Sequence, residues 1–493
     1  MLLRRLAPPG RAVWLGLALA VLAPAPARAV LPPASSETLL STCPDARSLR
    51  AALTRLADST RATSASAIGD VHYWRGVSYS RGGIPDSALA DFRRAADVRG
   101  DPADQIALAD ALIARSAPGD LEAVAARMEQ ASAGGLSEDV HSLRARLGWA
   151  LFLEGRADSA MRVFEPMRAD LDRNPAWHER LARVVAAAHP GDARQAFGAL
   201  FPIAVASHGA NRDVLDSLGA ALARDPEARS VDLATVLRGA IARADAAERM
   251  GVESRGGRLM RWTASDHFPI SAALFAGARR EPVVVMLLDS PDSLAGCDSL
   301  VAALRSAGFA ALLVERRGSR GASGPGCTRP FDFYGREDAL EARIALDALE
   351  ALRLAAREVP LDTTRVVLGG VGHAAPTAVL AATRLAQPFA LLLVSPEPLP
   401  IQLGPTRARL AKLLIPMYLQ LSAADFDVVL TADALYQSGL RPRSFVAESG
   451  APQHGAEQFR GDPAIRPRLA GWLARTLKAP PAPATPRSAP RKG

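Results

Sequence analysis

The residues of this chain best suited to chemistry are a carboxylate and an imidazole near its carboxyl end, Asp425 and His454. Such a pair moves protons when the carboxylate fixes the imidazole's tautomer and the imidazole takes a proton from an attacking hydroxyl. The hydroxyl belongs on a sharp turn from a strand into a helix, where backbone strain lifts one side chain clear of the sheet. The run Arg365-Val-Val-Leu-Gly-Gly-Val-Gly-His-Ala-Ala-Pro-Thr-Ala-Val-Leu380 has that outline, yet it contains neither serine nor cysteine. Two registers fit it, Gly370-Val-Gly372-His-Ala374 and Gly372-His-Ala374-Ala-Pro376. The first is preferred because glycine accepts the positive φ of the corner and alanine does not. Neither supplies an attacking atom; in the first, Gly372 stands in the nucleophile's place. Ser290 and Ser395, at two predicted strand ends, are the hydroxyls that could substitute. His373, beside the empty corner, reads as a helix-start residue packed over the pocket and not as a base.

The elements that must position these residues follow from short apolar runs. Pro282–Leu288, Gly308–Val314, Arg365–Leu368, Phe389–Val394 and Pro416–Leu421 read as buried strands of a parallel sheet. Helices fit between them at Cys297–Ala307, Arg336–Ala356, Pro376–Ala386 and Val428–Ser438. This alternation predicts a doubly wound, mostly parallel α/β domain that binds ligands beyond the carboxyl ends of its strands.

Over about 257–478 the chain resembles the α/β-hydrolase family. Thr263-Ala-Ser-Asp-His-Phe-Pro-Ile270 looks like the opening β-hairpin. Gly308–Gly324, with Glu315-Arg-Arg-Gly-Ser-Arg-Gly-Ala-Ser-Gly324, resembles the fourth strand and its Gly-rich loop. Leu421-Ser-Ala-Ala-Asp425 fits the strand end that carries the family's acid, and Gln453-His454-Gly455 the loop that carries its histidine. The order of nucleophile position, acid and base is the family's order. The resemblance implies an esterase, lipase or peptidase type of activity, and the chain departs from it twice. Besides Gly372, it has Asp289-Ser290-Pro291 where many members place His-Gly to donate to the oxyanion, and a carboxylate there would repel developing negative charge. Asp289, Ser290, Gly372 and His373 are therefore pocket candidates, and Asp425 and His454 a remnant acid and base.

Residues 37–251 have a different period. They are rich in Ala, Leu and Arg with apolar positions at helical spacing, which predicts an all-α half. His72-Tyr-Trp-Arg-Gly76-Val-Ser-Tyr79 with Gly83, Ala88 and Phe92 matches Leu147-Gly148-Trp149-Ala-Leu151 with Gly155, Ala160 and Phe164, position for position. The pattern resembles the tetratricopeptide repeat, a helix pair of about 34 residues. That resemblance implies a stacked array binding a protein or peptide partner; the alternative is a scaffold that only packs on its neighbouring domain.

Charge and composition exclude other classes. In residues 1–29, Arg4, Arg5 and Arg11 precede an apolar run from Ala12 to Ala23 and an Ala27-Arg28-Ala29 cleavage pattern. This reads as a secretory signal, leaving an exported, periplasmic or extracellular chain with no transmembrane segment. Residues 258–478 form the α/β-hydrolase-like domain and 479–493 a Pro- and Ala-rich tail read as disordered. The net charge of +8 lies wholly in the signal and in the tail with Lys478, so no basic stripe for nucleic acid remains. Of Cys43, Cys297 and Cys327, the last two follow successive strands and could form a disulfide; two buried thiols are the alternative. Scattered cysteines and the lack of an H-x-x-x-H or C-x-x-C pattern predict no metal site, and no cofactor motif occurs. A small-molecule ligand in the hydrolase-like pocket is compatible with all of this.

Overall fold

The structure, a computed structural model, describes residues 35–59, 64–133, 137–167, 175–189, 192–209, 211–224, 233–289, 294, 297–317, 337–422, 425–439, 445–449 and 453–478. The signal-like segment, the tail, Ser290 and Cys327 lie outside these, and with Cys327 the expected disulfide. Cys297 is buried at the start of a helix.

The first half is helical, as its period predicts. Its helices are α1 Ser36–Thr42, α2 Ala46–Ser59, α3 Ala65–Arg81, α4 Pro85–Val98, α5 Pro102–Arg115, α6 Asp120–Ala133, α7 Ser137–Leu153, α8 Ala157–Phe164, α9 Pro175–Ala188, α10 Ala193–Ala206, α11 Arg212–Arg224 and α12 Leu233–Glu253. Pro85 and Pro102 open α4 and α5, where a missing N–H costs no helical bond. The two matched sequence segments adopt matching geometry. A Cβ on Gly76 would lie 2.8 Å from the Phe92 ring, and one on Gly148 would lie 2.7 Å from the Phe164 ring. Each glycine thus admits the aromatic ring of the next helix. The turns correspond as well: Gly83 and Gly155 have φ of +70° and +79°, and their N–H groups donate to Ser80 O and Phe152 O, both at 2.9 Å.

The second half is built on an eight-stranded sheet: β1 Arg258–Thr263, β2 Pro269–Phe275, β3 Glu281–Leu288, β4 Ala310–Glu315, β5 Leu361–Val371, β6 Ala390–Val394, β7 Met417–Ser422 and β8 Phe445–Ser449. The order is β1-β2-β4-β3-β5-β6-β7-β8, with β1–β2 and β2–β4 antiparallel and the remaining pairs parallel. The central strands are apolar on both faces because helices cover both. Val283, Val285 and Leu287 face the core under α14 (Glu337–Glu358), α15 (Ala375–Ala382) and α17 (Phe426–Ser438). Val284, Met286 and Leu288 face the core under α13 (Asp298–Ser306) and α19 (Ile465–Lys478). The alternation is the period of two expected for a strand.

Four apolar strand cores, β3, β4, β6 and β7, lie where the sequence predicts them. Strand β5 begins earlier than expected, its polar Leu361–Thr364 start hiding it from a search for apolar runs. Among the described helices and strands of this half, three went unpredicted: β8, α16 (Pro400–Leu413), which carries Pro405 inside it, and the short α18 (Gln458–Gly461).

The two halves meet at two seams. At one, the Leu40, Leu49, Leu53 and Val71 side chains cluster with Ile401, and Arg81, its side chain 7% exposed, pairs with Asp338 and Glu341, each at 2.8 Å. At the other, Arg261 of β1 pairs with Asp245 at 2.8 Å and Glu248 at 2.5 Å on α12. The segment 253–257 that joins the halves is a tight turn in which Gly257 N donates to Val252 O at 3.0 Å.

Candidate functional site

Strand β5 ends at Val371, and Gly372 opens a 3-10 turn, Gly372–Ala374, that leads into α15. Gly372 has φ of +54°, the left-handed conformation expected of the corner in the preferred register. The returning helix comes very close: a Cβ on Gly370 would lie 2.6 Å from Ala374 O. The corner is therefore a sharp strand-to-helix turn with glycine at its left-handed position.

Asp289 follows β3 and is almost fully buried. Its Oδ2 accepts the His373 backbone N–H at 2.9 Å, and its Oδ1 meets Arg316 Nη1 at 2.9 Å. In a hydrolase corner, the N–H of the residue after the nucleophile is one of the two oxyanion donors. Here a carboxylate of the chain itself takes that N–H, at the start of a helix where negative charge is favoured. It also fills the space beside the corner, since a Cβ on Gly372 would stand 2.9 Å from Asp289 Oδ2. Arg316 supplies the counter-charge. A charge-assisted bond of this kind contributes about 1.5–3 kcal/mol, so an incoming oxyanion would have to displace it.

The next residue, Arg317, anchors the chain after β4. Arg317, 2% exposed, pairs with Asp347 of α14 at 2.6 Å and Asp266 of the β1–β2 turn at 2.5 Å, and stacks over Phe268 at 5.2 Å. Burial raises the Asp266 carboxyl, but Arg317 and Arg343 outweigh it and hold that carboxyl below the usual range. For Asp347, burial prevails over Arg317 and pushes the carboxyl up.

The acid–base side lies across the same edge of the sheet. His454 Nδ1 and Asp425 Oδ2 are 2.8 Å apart. Asp425 is also the N-cap of α17, its Oδ1 accepting Val428 N at 3.4 Å. A buried polar network fixes the loop that carries His454. Ser395 Oγ accepts Gly455 N at 3.0 Å and Gln458 Nε2 at 2.6 Å, while Gln420 Nε2 donates to Gln458 Oε1 at 3.3 Å. Ser395 is fully buried with φ of +42°, and its oxygen is committed to these two donors. It is thus a structural hydroxyl. Beneath the network, Tyr418 has its phenol pushed up to about 12 by burial.

His373 differs from its expected place. Its side chain is 48% exposed, turned away from packing over a pocket and toward Glu397, with Nδ1 2.7 Å from the Glu397 carbonyl oxygen. Glu397 was not singled out in the sequence, although it follows β6 at the ligand-binding edge. Its backbone N donates to Gly372 O at 3.1 Å, and its Oε2 lies 3.6 Å from His373 Nε2 and 3.7 Å from His454 Nε2. A cavity of about 240 Å³ lies elsewhere, in the seam between the halves, where Cys43, Arg81, Asp338, Glu341 and Arg409 line it.

No family model and no curated protein matches the chain. Among solved structures, it is similar to the esterase domain of a Rhodothermus marinus protein, at 13% identity over 44% of this chain and 98% of that one, with a TM-score of 0.33. It is likewise similar to a hyperthermophilic esterase from Pyrobaculum calidifontis, at 13% identity over 50% and 93%, TM-score 0.34. A third is the acylaminoacyl peptidase of Pyrococcus horikoshii, at 17% identity over 45% and 41%, TM-score 0.32. The strand order, with its antiparallel β2 and the turn after β5, gives the C-terminal part an α/β-hydrolase fold behind a helical region.

Proposed function

We propose that this chain is an exported, non-catalytic binding or scaffold protein, in which a tetratricopeptide-like array presents a surface to a protein or peptide and a hydrolase-like domain has given up cleavage. The observation that carries this reading is Asp289, whose carboxylate takes the His373 N–H beside a corner that has no attacking atom. The oxyanion's donor is occupied and the nucleophile's position is glycine, so both electrophile stabilisation and attack are lost together. The paired Gly76–Phe92 and Gly148–Phe164 contacts support the repeat reading of the helical half. Export rests on the Arg-flanked apolar run ahead of Ala29.

A second reading, a serine hydrolase of esterase, lipase or peptidase type with a relocated nucleophile, is favoured by the Asp425–His454 pair. Against it, His454 Nε2 faces the Glu397 carboxylate, and the Ser395 oxygen already accepts two N–H groups. The test is hydrolysis of short-chain nitrophenyl esters by the purified mature chain. Turnover at the buffer rate, unchanged by His454→Ala, is expected. Turnover above it that His454→Ala abolishes would overturn the non-catalytic reading.

A further inference from the structure

We propose that His454, Glu397 and His373, with Asp425 behind His454, form a binding site for a divalent transition metal of the zinc class. The two imidazoles are held in one tautomer. A carboxylate and a carbonyl oxygen can only accept, so His454 Nδ1 donates to Asp425 and His373 Nδ1 donates to the Glu397 carbonyl. In the neutral rings, Nε2 is then a lone pair, and both Nε2 atoms flank the same carboxylate oxygen, Glu397 Oε2, at 3.6 and 3.7 Å. Lone pairs facing a carboxylate repel unless a positive charge, a proton on one ring or a metal ion, lies among them. These separations are too long for hydrogen bonds but close to the ~3.4 Å between ligand atoms around a tetrahedral zinc with bonds of about 2.1 Å.

Holding the far ring nitrogen with a carboxylate or carbonyl is the usual way a protein orients a metal-binding histidine. Glu397, Asp425 and His454 present ligand atoms within 4.8 Å of one another, and among the described residues no Arg or Lys pairs with either carboxylate. The side chains of His373, Glu397 and His454 are 48%, 36% and 42% exposed, open enough to close on an ion. His373 approaches this group through Glu397; turned in toward His454, it would complete three protein ligands and leave one tetrahedral position for water or a ligand's anionic group.

A second cluster, of one histidine and two carboxylates, shows what a compensated set looks like. His208 Nδ1 lies 2.7 Å from Asp245 and its Nε2 3.7 Å from Glu248, but Arg261 pairs with both carboxylates. There a guanidinium already supplies the cation, and the cluster serves as a seam between the halves.

Zn²⁺ titrated calorimetrically into chelator-stripped, tag-free mature protein at neutral pH should show one saturable site. His454→Ala and Glu397→Gln should each weaken it at least about 10-fold, and Asp425→Asn about 10–100-fold, as for residues that orient a metal ligand. His208→Ala should leave it unchanged, and circular dichroism establishes that each variant folds. Co²⁺ should give the visible absorption of a tetrahedral site in the parent and not in His454→Ala. Absence of saturable binding, or equal affinity in parent and His454→Ala, would overturn the metal site. The site stands apart from the non-catalytic reading: ester turnover that appears only with Zn²⁺ would end that reading and keep the metal.

Discussion

The two sides of the site have kept different things. On the acid–base side, Asp425 and His454 stand 2.8 Å apart in the arrangement that orients an imidazole for proton transfer. Across from them, Gly372 turns the chain with φ of +54°, and the Asp289 carboxylate accepts the His373 N–H, which on the proposed reading is the oxyanion's donor. The difference has a physical reason. Asp425 also caps α17, and the loop of His454 is tied to Ser395 and Gln458, so these residues support the fold whether or not any chemistry occurs. A nucleophile has no such second role. An acid and a base with structural roles are therefore weak witnesses to catalysis, and the proposed reading rests instead on Asp289.

The largest effect is expected from placing a hydroxyl at Gly372. Gly372→Ser alone should give no fluorophosphonate labelling, because its Cβ meets Asp289 and the donor stays occupied. Gly372→Ser with Asp289→Ala should label, and adding His454→Ala should slow that labelling about 10²–10⁴-fold, the usual share of a general base. Equal labelling with and without His454 would show that the acid–base side is not poised for proton transfer.

The next largest effect concerns the Arg317 anchor after β4. Arg317→Met leaves Asp347 and Asp266 without their buried partner and should cost about 3–5 kcal/mol in urea unfolding. On the acid–base side, Asp425→Ala should cost about 1 kcal/mol, the worth of a helix cap. A loss below a few tenths would mean that the cap does not explain why Asp425 persists.

The smallest effect is a pH dependence. The folded Asp266 carboxyl lies below its unfolded value of about 3.9. Its contribution is therefore present above about pH 4 and lost as pH falls through the folded value. Asp266→Asn should flatten the acid limb of a melting-temperature profile below pH 4 and leave neutral pH less affected than Arg317→Met does. An unchanged acid limb would remove Asp266 from the brace.

Much of this architecture was legible because it is written in short periods. Val283–Leu288 and Leu391–Val394 are apolar on both faces, which happens only when helices cover both sides of a sheet. The corner was legible through two glycines required by a close helix and a positive φ. What the sequence concealed depends on contacts between distant segments. Glu397 sits in a Ser-Pro-Glu-Pro loop with no period to betray it, and it matters because β5, β6 and the His454 loop converge at one edge. Arg316 and Asp289 are 27 residues apart and pair only through the β3–β4 register. Strand β8, Phe-Val-Ala-Glu-Ser, is too short and mixed to stand out without β7 beside it. Spacing along the chain likewise gave no sign of the metal site proposed above, since His373, Glu397, Asp425 and His454 share no motif.

The most direct test of the central claim is fluorophosphonate labelling of the unmodified mature chain, read by intact mass alongside a folded-state spectrum. The non-catalytic reading requires folded protein with no added probe mass after prolonged exposure. A stoichiometric adduct on any serine, lost in His454→Ala, would contradict it and name the relocated nucleophile.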